Sequence, residues 1–257
     1  MALRMSTKLD IYTTKRRGRI KNMLFTSACF LATITCVLML MVLIWNIIVQ
    51  GKDWLSWGFI DHLPSRFPHK AGIKSALWGS IWLISLTAMF SVPLGVGAAV
   101  YLEEYAPRSR WRKLIQLNIA NLAGVPSIVY GILGLGLFVR ALSLERSVLS
   151  GALTLTLVVL PIIILASQEA LRAVPDSIRR SAYALGATRW QTVWYQVLPA
   201  SLPGIMTGVI LSLSRALGEA APLIAVGAMA YVPFVPEKLT DEFTALPIQI
   251  FNWTSRP

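Results

Sequence analysis

The stretch Glu169–Pro203, EALRAVPDSIRRSAYALGATRWQTVWYQVLPASLP, decides how the rest of the chain is read. It is a polar interruption carrying four arginines between two strongly apolar segments. Pro175 suits a first helical position, with Asp176 in the positively polarised first turn. Ile178, Ala182 and Leu185 fall at i, i+4 and i+7 on one helical face, and Gly186 suits the end of that helix. Thr188 and Gln191 form a T-x-x-Q capping box that starts a second helix. There Trp190, Val193, Trp194 and Val197 make an i, i+3, i+4, i+7 apolar stripe, which Pro199 is expected to stop. The spacing therefore predicts a folded helix–Gly–helix knob with an apolar face for docking, not a flexible tether.

Composition places this knob in a membrane protein. The chain has 257 residues, is 55% hydrophobic and only 14% charged, and has a mean hydropathy of +0.62. Soluble domains carry about 25% charged residues. The net charge of +12 could suit nucleic acid, but the basic residues lie in connections between apolar spans and form no basic–aromatic face. Nucleic acid is thereby excluded as a partner, and membrane lipid is expected. Cys29 and Cys36 are seven residues apart on one helix, about 10 Å along its axis, beyond disulfide reach. Residues 1–22 are a basic segment; the apolar run after them is too long for a signal-peptide core and has no cleavage pattern, so it reads as an uncleaved first span.

Five candidate spans follow: Met23–Val49, Ala76–Leu102, Leu114–Val139, Val148–Ser167 and Pro203–Ala230. Each reaches the roughly 20 residues needed to cross a bilayer core. Seven basic residues precede the first span, four lie in 103–113 and four in 167–203, against eight in the opposite connections. That bias puts the N-terminus and the knob in the cytoplasm, and the 50–75 loop and the 231–257 tail outside. Trp54, Trp57, Phe59 and Phe67 look like an interfacial belt. Residues 76–257 form one helical core. Pro93 with Gly95 and Gly97, Gly124 with Pro126, Pro161, and Pro222 are expected to interrupt its spans. Gly204-x-x-x-Gly208 and the series Gly131, Gly134, Gly136 allow close helix contact. Taken singly each break suits helix packing; their clustering favours a moving bundle.

Arg215 and Glu219 lie at i, i+4 in the fifth span. An arginine at bilayer depth costs roughly 2.5–3.5 kcal/mol to insert, so it faces protein or water. Two readings stay open: a structural ion pair, or an anion path lined by Arg215 with Glu219 holding its side chain. A guanidinium fork matches a tetrahedral oxyanion better than an ammonium does. Nothing points to an enzyme. His62 and His69 are outer-loop residues without metal-ligand spacing, and no paired acids or nucleophile–base set lies in the spans. Glu103 and Glu104 read as a solvated helix end, and Asn118 and Asn121 either glue helices or line a pore. No G-x-x-x-x-G-K-[ST] occurs, so nucleotide must act through another subunit.

The segment SAYALGATRWQTVWYQVLP resembles the cytoplasmic EAA loop of ABC-importer permeases, whose pattern runs EAA, three residues, Gly, nine residues, then I-x-L-P. Ala182, Gly186, Leu198 and Pro199 match. Arg180, Ser181 and Gln196 depart from it, which moves the docking claim from the family's glutamate to the apolar face and Gly186. PLGVGAAVYLEEYAP, NLAGVPSIVYGILGLGLF and SRALGEAAPLIAVGA look like phosphate-importer permeases of the PstA type, and the likeness covers nearly all of 71–257. The resemblance implies an all-α, polytopic membrane helix bundle of the ABC type I importer permease class in the bacterial inner membrane. Its implied partners are a second permease of the PstC type, two copies of an ATPase of the PstB type that hold ATP and Mg, and a periplasmic or lipid-anchored phosphate-binding protein of the PstS type. It also implies that Arg215 lies on the phosphate path with Glu219 assisting. The ATPase contact falls on Ala182, Leu185, Gly186, Ala187, Thr188, Trp190, Val193, Trp194, Leu198 and Pro199. Such permeases usually have six spans, and the sixth is absent here, as in a truncated or partial sequence. The alternatives are another oxyanion, sulfate or molybdate, or a phosphate-sensing or assembly subunit of the same complex.

Overall fold

Backbone polar groups at bilayer depth must be satisfied within their own segment, and continuous helices achieve this. The computed structural model describes residues 3–65, 67–228 and 231–255. The expected span end at Ala230, and Arg66 and Arg256 of the charge count, lie outside the described residues. The fold is all-α as expected: among the described residues there is no strand, only an isolated antiparallel bridge between Ser147 and Glu242. Four helical segments are long and apolar enough to cross a membrane, or five if one bent pair counts as a span.

The chain divides into two units, Met1–Ser56 and Trp57–Pro257. The first is helix α1 (Leu3–Gly51) with a closing turn at Lys52–Trp54. From Lys21 it is apolar all round, which suits lipid on every side. Its polar side chains bond within the helix, Thr33 to the Cys29 carbonyl, Thr35 to Leu31 and Asn46 to Val42.

The second unit begins with the short α2 (Trp57–Asp61) and the long α3 (Lys74–Val100), which runs on through a π turn at Tyr101–Tyr105. Then come α4 (Arg110–Ala123) and α5 (Ser127–Gly134), the latter widened into π turns at Leu135–Ala141. Next are α6 (Val148–Arg172), α7 (Asp176–Ala184), α8 (Arg189–Thr192), α9 (Leu198–Leu217), α10 (Ala221–Val226) and α11 (Leu246–Thr254). Helix α6 is the axis of the unit, two-thirds buried along its apolar window against one-third for α3. Its core has three storeys. Leu83, Leu155, Leu223 and Phe243 fill one end, Val159, Ile163, Ile205 and Val209 the middle, and Leu102, Leu171, Val174 and Val197 the end that carries the knob.

The third span breaks at Gly124–Pro126 as expected: α4 and α5 meet there at 99°, because Pro126 cannot continue the helix and caps the next. Other sequence expectations are corrected. Pro93 and Pro161 interrupt nothing and sit inside continuous α3 and α6. Pro199 does not stop the second knob helix. Arg189–Leu217 is one helical segment, carried past the proline by a π turn at Val193–Val197 in which the Leu198 N–H donates to the Val193 carbonyl. The fifth span breaks after Leu217 and resumes only briefly as α10. Pro175 is the cap before α7, one position earlier than expected, and Asp176 is in the first turn.

Two details tie the bundle together. A Cβ on Gly208 would lie 2.5 Å from that of Ala166, and one on Gly204 2.9 Å from that of Ala170, so these glycines let α9 lie against α6. Gly131 fits likewise against Pro222 and Ala225 of α10, and Gly134 against Thr154, whereas Gly136 borders open space. At the far end the tail folds back on the bundle. Its Asp241 and Leu239 carbonyls accept the Val148 and Leu149 N–H groups, which would otherwise be orphaned at the start of α6. Phe243 is fully buried, and the Leu246 N–H donates to Ser80.

Gly208→Val is expected to destabilise the protein by about 1–3 kcal/mol through overpacking, and Gly136→Ala to be near neutral; thermal melting of both in the same detergent checks this. The Asp241 carboxylate accepts the Glu237 and Lys238 N–H groups at 2.9 Å each, and these bonds hold its pKa below the ordinary 3.8. A lowered carboxyl pKa contributes stability that is present above 3.8 and lost as pH falls through the folded value. Acidification should therefore lower the amide protection factors at Val148 and Leu149, measured against the intrinsic exchange rate at each pH, and Asp241→Asn should abolish that acid step.

Candidate functional site

The knob is the first candidate. Helix α7 stops at Gly186, whose φ of +82° is the left-handed conformation that closes a helix, and the Ala187 N–H returns to the Ala182 carbonyl. The capping box is present: the Gln191 N–H donates to Thr188 Oγ1 at 3.3 Å, and the Thr188 N–H to Gln191 Oε1 at 2.8 Å. The apolar stripe divides in two. Val193 and Val197 are buried in the bundle. Trp190 and Trp194 face outward, 60% and 51% exposed, and stack with ring centroids 5.4 Å apart. Leu185 does not join a buried face with Ile178 and Ala182; it caps α7 and is 88% exposed. Ala182, Ala187 and Leu198 are half-buried, and Pro199 is exposed. Rigidly held aromatic and aliphatic side chains in contact with solvent form a surface built to be covered.

Beneath the knob lies an arrangement that the sequence reading missed. Glu103 and Glu104, expected to be a solvated helix end, are only 10% and 8% exposed. Glu103 bridges Arg172 at 2.6 Å and Arg112 at 3.1 Å. Glu104 takes Arg179 through Nη2 at 2.7 Å and Nε at 3.2 Å. The same guanidinium donates to the Val174 carbonyl at 2.7 Å and the Leu171 carbonyl at 2.9 Å, where α6 ends. Hydrogen bonding to Glu104 holds the Arg179 pKa above the ordinary guanidinium value, against the pull of burial. Removing one member of a pair so buried costs about 3–5 kcal/mol. The overlooked signal is an adjacent acidic pair ending an apolar span while arginines flank the next two connections. Sequence pattern shows such charges as helix-end solvation, because it does not show which ends meet.

The second candidate is the break between α9 and α10. Arg215 stands in the last turn of α9 and Glu219 just after it, joined Nε to Oε1 at 3.2 Å. The arginine side chain is 58% exposed and the glutamate 17%, so Glu219 orients a guanidinium whose outer edge faces away from the fold. A recess of about 660 Å³ opens beside them, lined by Ser214, Leu217, Gly218, Ala220, Leu246 and Phe251. The break at Gly124–Pro126 is matched across the bundle, since α5 packs on α10 through Gly131. Asn118 bonds the Leu114 carbonyl of its own helix, and both Asn118 and Asn121 are exposed. The structure brings Arg215 and Glu219 together and leaves the knob residues at the other end of the same helical segment.

Comparison with known proteins gives this geometry a family. The family described as binding-protein-dependent transport system inner membrane component matches residues 91–244. The chain is 34% identical over 248 residues to the phosphate transport system permease protein PstA 1 of Mycobacterium tuberculosis (strain ATCC 25618 / H37Rv), covering 94% of this chain and 79% of that relative. It is 33% identical over 248 residues to PstA of Mycobacterium leprae (strain TN), covering 94% and 80%. With PstA of Yersinia pestis the identity is 32% over 238 residues, covering 90% and 78%. A helical membrane bundle with a helix–Gly–helix knob, matched along most of its length, thus belongs to the binding-protein-dependent transport system inner membrane components, the membrane permeases of ABC transporters.

Proposed function

We propose that this chain is the permease subunit of an ATP-driven importer of inorganic phosphate, forming half of the translocation path beside a second, related permease. The observation that carries the reading is Arg215: an exposed guanidinium at a helix break, held at Nε by Glu219. Its outer donors match two oxygens of a tetrahedral anion, and the neighbouring carboxylate keeps the site from holding that anion too tightly. The phosphate-transport names of the relatives favour phosphate over sulfate or molybdate. In this reading the N-terminus and the knob are cytoplasmic, and a binding protein delivers phosphate from the opposite side. Two copies of a separate ATPase hold ATP and Mg. Closure of their dimer moves the 175–199 knobs of both permeases and rocks the bundles, so that the path opens to one side and then the other. Trp190 and Trp194, stacked and exposed, form the centre of the ATPase contact, flanked by Leu185 and the Gly186 turn.

Two measurements test this. Arg215→Ala in the assembled complex should lower phosphate uptake by roughly tenfold or more, the worth of one charge-assisted contact, while Arg215→Lys retains part of it. Normal uptake by Arg215→Ala would refute the path, and competition by sulfate or molybdate equal to that of phosphate would refute the substrate. Trp194→Asp places a carboxylate in the docking face. It should abolish ATPase co-purification or phosphate-stimulated ATP hydrolysis, and undiminished hydrolysis would refute the docking face.

A further inference from the structure

The way α7 is held departs from ordinary helix packing. None of its residues is fully buried; Ile178, Arg179 and Ala182 are half-buried and the others exposed. So little apolar contact fixes a nine-residue helix poorly. Ile178 packs on the core beneath it, and the helix's polar hold is one side chain. Arg179 donates to Glu104 at the end of α3's π turn and to the Leu171 and Val174 carbonyls at the end of α6. The Leu171 carbonyl belongs to the last turn of α6 and that of Val174 lies just past its cap, where helix geometry leaves acceptors short of partners. Its minor partner Asp176, at 3.4 Å, is 78% exposed and adds little. One residue earlier, Glu103 ties the end of α6, through Arg172, to the start of α4, through Arg112. Helix α7 thus reaches α3 and α6 through one guanidinium and the apolar contact of Ile178, and α4 is tied to the same two helices by the adjacent carboxylate. A polar cavity of about 330 Å³ lies among these groups.

We propose that Arg179 and Glu104 form the joint through which the knob drives the membrane helices, with Arg179 as a positioning residue and Glu103 carrying the motion on to α4. The joint rests on the reading of α7 and α8 as the ATPase-docking knob. A guanidinium suits this task because its planar fork grips a carboxylate and two carbonyls at once, whereas an ammonium presents a single point charge. Ordered bonds of this kind transmit displacement in a fixed direction. A greased apolar contact of the same size would slip.

The test uses the full complex in vesicles and reads ATP hydrolysed per phosphate imported. In Arg179→Lys and in Glu104→Gln that ratio should rise by about tenfold, the loss of one charge-assisted contact, with basal hydrolysis within about twofold of the parent. The double variant should rise no further, since both substitutions break one contact. Asp176→Asn should leave the ratio unchanged. A ratio unchanged in both single variants, or effects that multiply in the double, would overturn the joint. If Arg179→Lys does not assemble, Glu104→Gln alone decides, since it keeps the shape of the side chain while removing its charge and one acceptor oxygen. Loss of coupling in Trp194→Asp with a normal ratio in these variants would overturn the joint but leave the docking knob standing. Unchanged coupling in Trp194→Asp would overturn the knob itself.

Discussion

Two neighbouring carboxylates at the end of α3 hold the knob end of the bundle together. Their position runs against helix electrostatics, because the C-terminal end of a helix is already negative. Burying Glu103 and Glu104 there is tolerable only with opposite charge close by, and three arginines from α4, the end of α6 and α7 supply it. The constraint works in both directions. Arg112 and Arg179 are themselves largely shielded, so removing either acid would leave a buried donor short of an acceptor, whereas Arg172 is half-exposed and keeps Glu169. Apolar burial gives the bundle its cohesion; these pairs decide which ends meet.

The rest of the unit separates a stiff axis from yielding parts. Helix α6 is buried on nearly every side. Two of its threonines bond within the helix, Thr154 to the Ser150 carbonyl and Thr156 to that of Ala152. By contrast α5 and α10 are short pieces beside helix breaks, and they pack on each other across a glycine. Irregular backbone at membrane depth persists where protein or a water-filled cavity covers it. The breaks flank these short pieces, and the Arg215–Glu219 pair and the open recess lie at the break that precedes α10, the recess between the end of α9 and α11.

Local chemistry was legible in the sequence wherever it depends on spacing. The Thr188–Gln191 capping box, the Gly186 turn, the Gly204 and Gly208 contact and the Arg215–Glu219 pair all follow from residues a few positions apart. What failed was anything decided by a partner distant in sequence. Pro199 alone reads as a stop, yet a wider turn carries the helix through it. Leu185 alone reads as part of an apolar face, yet it ends in solvent. Glu104 and Arg179 lie 75 positions apart, and no periodicity links them. The tail is anchored by Phe243 and Ile248, whose burial depends on residues of α3 and α6 that lie far away in the sequence.

The continuity of Arg189–Leu217 has a mechanical consequence. From Trp190 to Arg215 is about 38 Å of helix at 1.5 Å per residue. The Gly204 and Gly208 seam, where α9 lies against α6, is about 24 Å from Trp190 and about 14 Å from the arginine. A rod turning about that seam acts as a lever with unequal arms. A push on its tryptophan end then moves the arginine end the opposite way, by about six-tenths as much. The fulcrum is made of two hydrogen atoms, those that stand where any other residue would carry a Cβ.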